Sequence, residues 1–398
     1  MQFSEVIGQK HIKEQLVNLV QQNRLSHALL FLGNEGSGAL PLAMAFAQYI
    51  VCEKGSKKQD AGPSLFGEPE PEIAANEPKT DSCGTCPACI KSQKLIHPDI
   101  HFSYPVVPKK AGEKPVSADY ITEWREFVAH YPYGNVYDWL QFINAENKQG
   151  NITATECNDI IKTLSLKSFE SEYKILIMWM PEFLGKEGNK LLKLIEEPPP
   201  NTLFIFVAEN EDAILPTILS RTQLVKISPL SAIDIEATLE LKAGAKPEIA
   251  RQIAVISEGN YREALQLLQH SENDWLQFIR EWLNITVKQN FPLQLKWIDE
   301  IAKLGREKQK QFLKYFIHLL ENALRTSILN TPQGMGAEAE FADRLNKICS
   351  VHQIEAIIDE LNKASYYIER NANAKILFHA LTVKLFHIIK NNSLILVN

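Results

Sequence analysis

Apolar residues in this chain follow two rhythms, and the change from one to the other divides it. In the first part, residues 27–32, 173–180 and 203–208 are short, nearly unbroken apolar runs, and residues 100–104 form a fourth strand-like segment. Runs of that length, bounded by turn residues, predict buried strands. Between them the spacing becomes helical: at 9–23, 42–50, 90–96, near 120–130, and at 154–165, 189–197 and 214–219. The 189–197 helix is stopped by Pro198-Pro199-Pro200, which cannot continue a hydrogen-bond ladder. Strands alternating with helices predict an α/β domain with a parallel sheet covered on both faces.

From about Ile227 the strand signal thins. Pro229-Leu230-Ser231 opens a helix, and 247–258 and 261–270 predict two more, a small helical unit placed at 228–272. Residues 273–398 read as helical throughout. Phe312, Tyr315, Phe316, Leu319, Leu320, Ala323 and Leu324 form one apolar stripe. Ile376, Leu377, Ala380, Leu381, Leu385 and Ile388 form another, interrupted by Lys384. Such stripes face a core or an oligomer interface. Two stretches fit no simple pattern and are set apart as insertions, 54–81 and 106–150. The second is rich in aromatics (Trp124, Tyr131, Tyr133, Tyr137, Trp139, Phe142), which suits a small satellite core or a partner-binding patch.

The chemistry concentrates first between the strand at 27–32 and its following helix. There Gly33-Asn34-Glu35-Gly36-Ser37-Gly38-Ala39-Leu40 keeps the glycine spacing of a phosphate-binding loop in the correct strand-to-helix setting. Yet Ala39 stands where the phosphate-pairing lysine belongs, and Leu40 where the Mg²⁺-binding hydroxyl belongs. The end of the 173–180 strand, where an ATPase carries acidic residues, has Trp179 and Met180. Two separate sites lack the groups that nucleotide hydrolysis needs. A chance glycine-rich turn is the plainer reading of the loop by itself.

Cys83, Cys86 and Cys89 follow one another at two-residue intervals, with Cys52 upstream. Four thiolates at such spacing suit tetrahedral Zn²⁺ in a closed, structural site, a module spanning 52–89. His97 is a competing fourth ligand, although His97-Pro98-Asp99 also reads as a turn. Cys157 and Cys349 fall in helical patterns as small buried residues. With 45% hydrophobic and 23% charged residues and a net charge of -6, the chain has an ordinary globular composition and not the basic character of a protein that grips DNA alone. No apolar run approaches a membrane span, and no signal peptide is evident, so a cytoplasmic location is expected.

Several of these features together resemble the AAA+ clamp-loader subunits of bacterial DNA polymerase III: residues 27–31, the four thiols, His97-Pro98-Asp99, residues 191–199 with their Glu-Glu-Pro-Pro end, and Leu219-Ser220-Arg221-Thr222. The resemblance covers roughly 1–105 and 152–270. It implies an AAA+ P-loop-like domain over 1–227, a helical lid over 228–272 and an all-α, collar-type oligomerisation domain over 273–398. The departures at Ala39, Leu40, Trp179 and Met180 set the chain apart from the motor subunits gamma and tau, and imply a member that does not hydrolyse or bind ATP. The implied role is to assist loading of a sliding clamp onto primed DNA, in a hetero-oligomeric ring with gamma/tau and delta subunits. Arg221, with Ser220 beside it, is implied to be a trans arginine finger on a neighbour's nucleotide. The bland alternative is a surface arginine paired with Glu211 or Asp212. Arg262 matches the lid's sensor arginine, and Glu209 or Asn210 the first sensor position. A catalytically active, divergent ATPase and a zinc-dependent DNA-binding module are the competing functions.

Overall fold

The computed structural model describes residues 1–54, 80–110, 112–146, 148–270, 275–329, 337–370 and 372–391. Most of the 54–81 excursion lies outside the described residues. The chain divides into two compact units, Met1–Leu268 and Gln269–Asn398.

The first unit runs α1 (Lys10–Gln21), β1 (Ala28–Gly33), α2 (Ala39–Val51), α3 (Pro87–Gln93), β2 (Ile100–Ser103), α4 (Ile121–His130), α5 (Val136–Phe142), α6 (Ala154–Ser165), β3 (Lys174–Trp179), α7 (Leu192–Glu196), β4 (Thr202–Ala208), α8 (Pro216–Leu219) and β5 (Gln223–Ile227). Three helices follow, in the stretch expected to form a lid: α9 (Ala232–Ala243), α10 (Pro247–Ile256) and α11 (Tyr261–His270). The sheet has the order β2-β3-β4-β1-β5, and every pairing is parallel. Strand β1, which leads into the glycine loop, therefore lies between β4 and β5.

Side chains alternate across each strand with period two, and both faces are buried. Leu29 and Phe31, Ile175 and Ile177, and Leu203 and Ile205 join one core with helix α2. Leu30, Leu176, Met178, Phe204 and Phe206 join another with helix α6. Double burial explains why these strands read as continuous apolar runs. β5 was missed by that criterion because it is an edge strand: only Val225 and Ile227 of its five residues are buried. The expected 189–197 helix is a shorter α7, preceded by a 3-10 stretch over Pro181–Leu191 that contains Gly185 in a non-helical conformation.

Residues 106–150 contain helices α4 and α5; Trp124, Trp139 and Phe142 continue the main core, and Tyr133 joins the core of α9–α11. Trp124 and Trp139 are fully buried, and Tyr104 stacks on Trp124 with ring centroids 4.0 Å apart. Tyr131 alone of the six is half exposed. Helix α5 starts at a capping box in which Asn135 and Asp138 each accept from the other's backbone N–H.

The second unit contains only helices among its described residues: α12 (Trp275–Lys288), α13 (Phe291–Lys303), α14 (Arg306–Leu329), α15 (Ala337–Ile348), α16 (Val351–Glu369) and α17 (Ala374–Asn391). Its core centres on Trp282 and Trp297, stacked 4.6 Å apart, with Phe312, Phe316 and Phe378 around them. The α14 stripe faces this core as expected. The α17 stripe holds at Leu381, Leu385 and Ile388, which are buried together with Phe378, whereas Ile376 at its start is 70% exposed. Lys384, which interrupts the stripe, reaches Glu360 at 2.6 Å.

Candidate functional site: a filled P-loop, an exposed arginine and a thiol cluster

The loop between β1 and α2 has the backbone of a phosphate cradle. Gly36 (φ 69°) and Gly38 (φ 91°) adopt the left-handed conformation that favours glycine, and Gly38 caps α2. Such glycines also let another group approach the backbone closely, and two protein side chains do so. A Cβ on Gly36 would lie 1.9 Å from Asn260 Oδ1, and one on Gly38 would lie 2.9 Å from the Tyr133 ring. Tyr133 is held by its hydroxyl, which accepts from the Ile7 N–H at 2.9 Å, and by an edge-on contact with Tyr261. The space remaining beside Gly33, Gly38, Ala39, Leu40, Trp179 and Glu209 is about 20 Å³.

Arg262 does not stand free at the lid. Its guanidinium is 8% exposed; it donates to Glu35 Oε1 at 2.8 Å and takes Asp138 bidentately through Nε and Nη2. Glu35 also accepts from Asn135 Nδ2 at 3.0 Å and from Asn260 Nδ2 at 3.4 Å. Burial opposes its charge, but Arg262 and these amides outweigh burial and hold the carboxyl below its ordinary value. Glu209, at the end of β4, shows the opposite balance. Burial, reinforced by the Glu35 and Glu182 charges, pushes it up to about 8. Asn210, the other candidate for that position, caps a short turn by accepting from the Asp212 N–H. Trp179 and Met180 are buried, and Met180 has a positive φ of 58°.

Arg221 sits just after α8, and its side chain is 31% exposed. It pairs with Glu196 at the end of α7 through Nε and Nη2, and neither Glu211 nor Asp212 is its partner. Nη1 donates to the Thr217 carbonyl at 2.8 Å and to Ser220 Oγ at 3.1 Å. The Glu-Glu-Pro-Pro end and the Ser-Arg pair, separate in sequence, thus form one surface feature.

The four thiols Cys52, Cys83, Cys86 and Cys89 converge with all Sγ atoms within 4.8 Å of one another. All are free. A tetrahedral ion with ~2.3 Å bonds to sulfur sets its ligands about 3.8 Å apart, which suits the 3.9 Å between Cys83 and Cys89. Backbone N–H groups of Cys83, Cys86 and Cys89 donate to the sulfurs of Cys52, Cys83 and Cys86. Burial disfavours the Cys83 thiolate, yet hydrogen bonds from Thr85 and Cys86 bring the group down to about 6. Burial drives Cys89 strongly upward. His97 is not in the cluster. Its Nδ1 accepts from the Asp99 N–H within the His-Pro-Asp turn, and Asp99 in turn caps the N–H groups of residues 169–171. Cys157 and Cys349 are buried as expected.

A parallel sheet in this order, a glycine loop between its inner strand β1 and a buried helix, three further helices and a second unit that is helical among its described residues define an α/β P-loop domain of the AAA+ type with an all-α C-terminal region. A sequence model of the family described as DNA polymerase III, delta subunit, matches residues 8–64 and 71–231, and the chain belongs to that family. The match runs through residues 106–150, the stretch that the sequence pattern set apart. The chain is 26% identical over 265 residues to DNA polymerase III subunit delta' of Bacillus subtilis, covering 66% of this chain and 60% of that protein. It is 25% identical over 221 residues to DNA polymerase III subunit gamma/tau of Mycobacterium bovis, covering 55% of this chain and 27% of that one. With DNA polymerase III subunit tau of Bacillus subtilis it is 23% identical over 410 residues, 96% of this chain and 61% of the relative. The chain therefore spans less than two thirds of the length of each of these relatives.

Proposed function

We propose that the chain is a non-hydrolysing, delta-prime-type subunit of a clamp loader. It supplies Arg221, steadied by Ser220, across a subunit boundary to nucleotide held by a gamma/tau-type neighbour. A delta-type subunit completes the hetero-oligomeric ring, and the ring loads a sliding clamp onto primed DNA in the cytoplasm. The observation that carries this reading is the space at the glycine loop. About 20 Å³ admits a water molecule, whereas ligand pockets run to ~300 Å³ and more. Ala39 and Leu40 add that neither the phosphate charge nor a metal would find its usual partner.

Arg221 supports the second half of the reading. Its planar fork can spread positive charge over phosphoryl oxygens as they become more negative in the transition state. The test is a loader reconstituted with Arg221→Ala. Turnover at the site that the arginine completes falls about 10³-fold or more, and total ATPase falls by that site's share. Unchanged loader ATPase removes the finger role. Phosphate release by the isolated chain, abolished by Gly38→Val, establishes the divergent ATPase instead.

The thiol cluster fits Zn²⁺, whose thiolate ligands staple the start of α3 to the end of α2. Elemental analysis of the purified chain should find zinc equimolar with protein, and Cys86→Ser should remove most of it. A full complement of zinc in that variant rules out the four-cysteine site.

A further inference from the structure

The side chains that fill the P-loop also tie the lid to it. The core of the lid helices includes Tyr133 and Ile7, from outside the lid. The Tyr261 N–H donates to the Gly36 carbonyl at 3.2 Å, and Gln9 Nε2 bridges the Ser37 and Ser228 carbonyls. At the centre, the single guanidinium of Arg262 faces two carboxylates from distant parts of the chain, Glu35 in the loop itself and Asp138 on α5. The arginine of the helical unit thus meets the glycine loop through a carboxylate of that loop, Glu35, and through a second one from α5.

We propose that residues 133–138, acting with Glu35, are a built-in ligand that holds the helical unit 232–268 on the P-loop without nucleotide. Tyr133 takes the apolar contact above Gly38, Asp138 presents two oxygens to the arginine fork, and Asn135 fixes the second oxygen of Glu35. Bidentate Arg–carboxylate pairing has the strength and direction for this, and partial burial protects it from screening. The lid of such a chain keeps one position through a nucleotide cycle. The inference concerns Arg262 and holds whether or not Arg221 acts in trans.

Hydrogen exchange followed by mass spectrometry on the full chain tests it. In the wild type, amides of residues 33–38 and 261–268 should exchange at the same rate with and without millimolar Mg-ATP or Mg-ADP. Asp138→Ala should speed exchange across 261–268 by about tenfold or more, the local opening expected when one partner of a buried pair is lost. Strands β1 and β4 and residues 275–391 should keep their wild-type rates. Glu35→Gln, a milder change that keeps the side chain's size, should have the same effect to a smaller degree. Nucleotide-dependent protection of 261–268 in the wild type overturns the proposal, as does unchanged exchange there in both variants. Should Asp138→Ala unfold the strands as well, Glu35→Gln and the wild-type nucleotide comparison each decide alone.

Discussion

Arg262 and Arg221 are both arginines of the first unit, and they are held in opposite ways. Arg262 is 8% exposed and engages two carboxylates, one from 124 and one from 227 residues away. Arg221 is 31% exposed and has one carboxylate partner, Glu196, together with near neighbours in its own turn. The first arrangement joins parts of the fold. The second leaves a charged fork at the surface, on a contact that another anion can replace. Exposed pairs contribute roughly 0–1 kcal/mol, whereas removing one partner of a buried pair costs about 3–5 kcal/mol. The arginine spent on stability is thus distinguished from the one available to a partner by burial and not by residue type.

Stability measurements should break this comparison if it is wrong. Arg262→Ala leaves Glu35 and Asp138 facing each other with no cation between them. Because Glu35 is itself about a third exposed, the cost falls toward the lower end of that range, about 3 kcal/mol. Urea unfolding of the first unit's transition should show it. A loss as small as that of Arg221→Ala would erase the distinction.

The sign of the pH dependence sharpens the same contrast inside the pocket. Glu35 is held below its ordinary value, so its stabilising contribution is present above about 4.5 and is lost as pH falls through the lowered value. Glu209 runs the other way. Its folded-state value of about 8 lies above the ordinary 4.5. The folded chain therefore favours the protonated acid, and stability is lost as pH rises from 4.5 toward 8. Glu209→Gln removes that loss. The variant should be more stable than wild type by about 1–3 kcal/mol at pH 8, with the difference shrinking toward zero near pH 4.5. A pH-independent difference would mean that Glu209 is ionised throughout.

What the sequence disclosed follows the same division between local and distant contacts. β1, β3 and β4 were legible because both of their faces are buried, so apart from Lys174 and Thr202 at their starts their buried side chains are apolar. The glycine loop, the missing lysine and the three clustered cysteines were legible because their meaning lies in short spacing. α5 was obscured by its Tyr, Trp and Gly surroundings, although Asn135 and Asp138 carried a helix-start signal. The partners of Arg262 could not be read at all. Nothing local links Glu35, Asp138 and Arg262, which meet only in the folded chain. For Arg221 the nearest acids in sequence, Glu211 and Asp212, were the natural candidates. The chain instead brings α7 alongside α8 and delivers Glu196.

The smallest expected effect separates positioning from stability at Arg221. Glu196→Gln keeps a hydrogen-bond acceptor of the same size and removes the charge. Because the pair is solvent-exposed, folding stability should change by less than about 1 kcal/mol. If Arg221 acts on a neighbour's nucleotide as proposed, the carboxylate has a second consequence. While it holds the guanidinium, it competes with phosphate, and it also orients the fork along the surface that carries Ser220. If orientation dominates, a loader reconstituted with Glu196→Gln should lose turnover at saturating ATP with no change in apparent affinity. If competition dominates, the affinity should rise, because the arginine no longer has to leave a carboxylate. Either shift, on an unaltered unfolding curve, ties Glu196 to the arginine's work on a neighbour. With Arg221→Ala already in place, the Glu196 substitution should do nothing further, since the two side chains act through one contact.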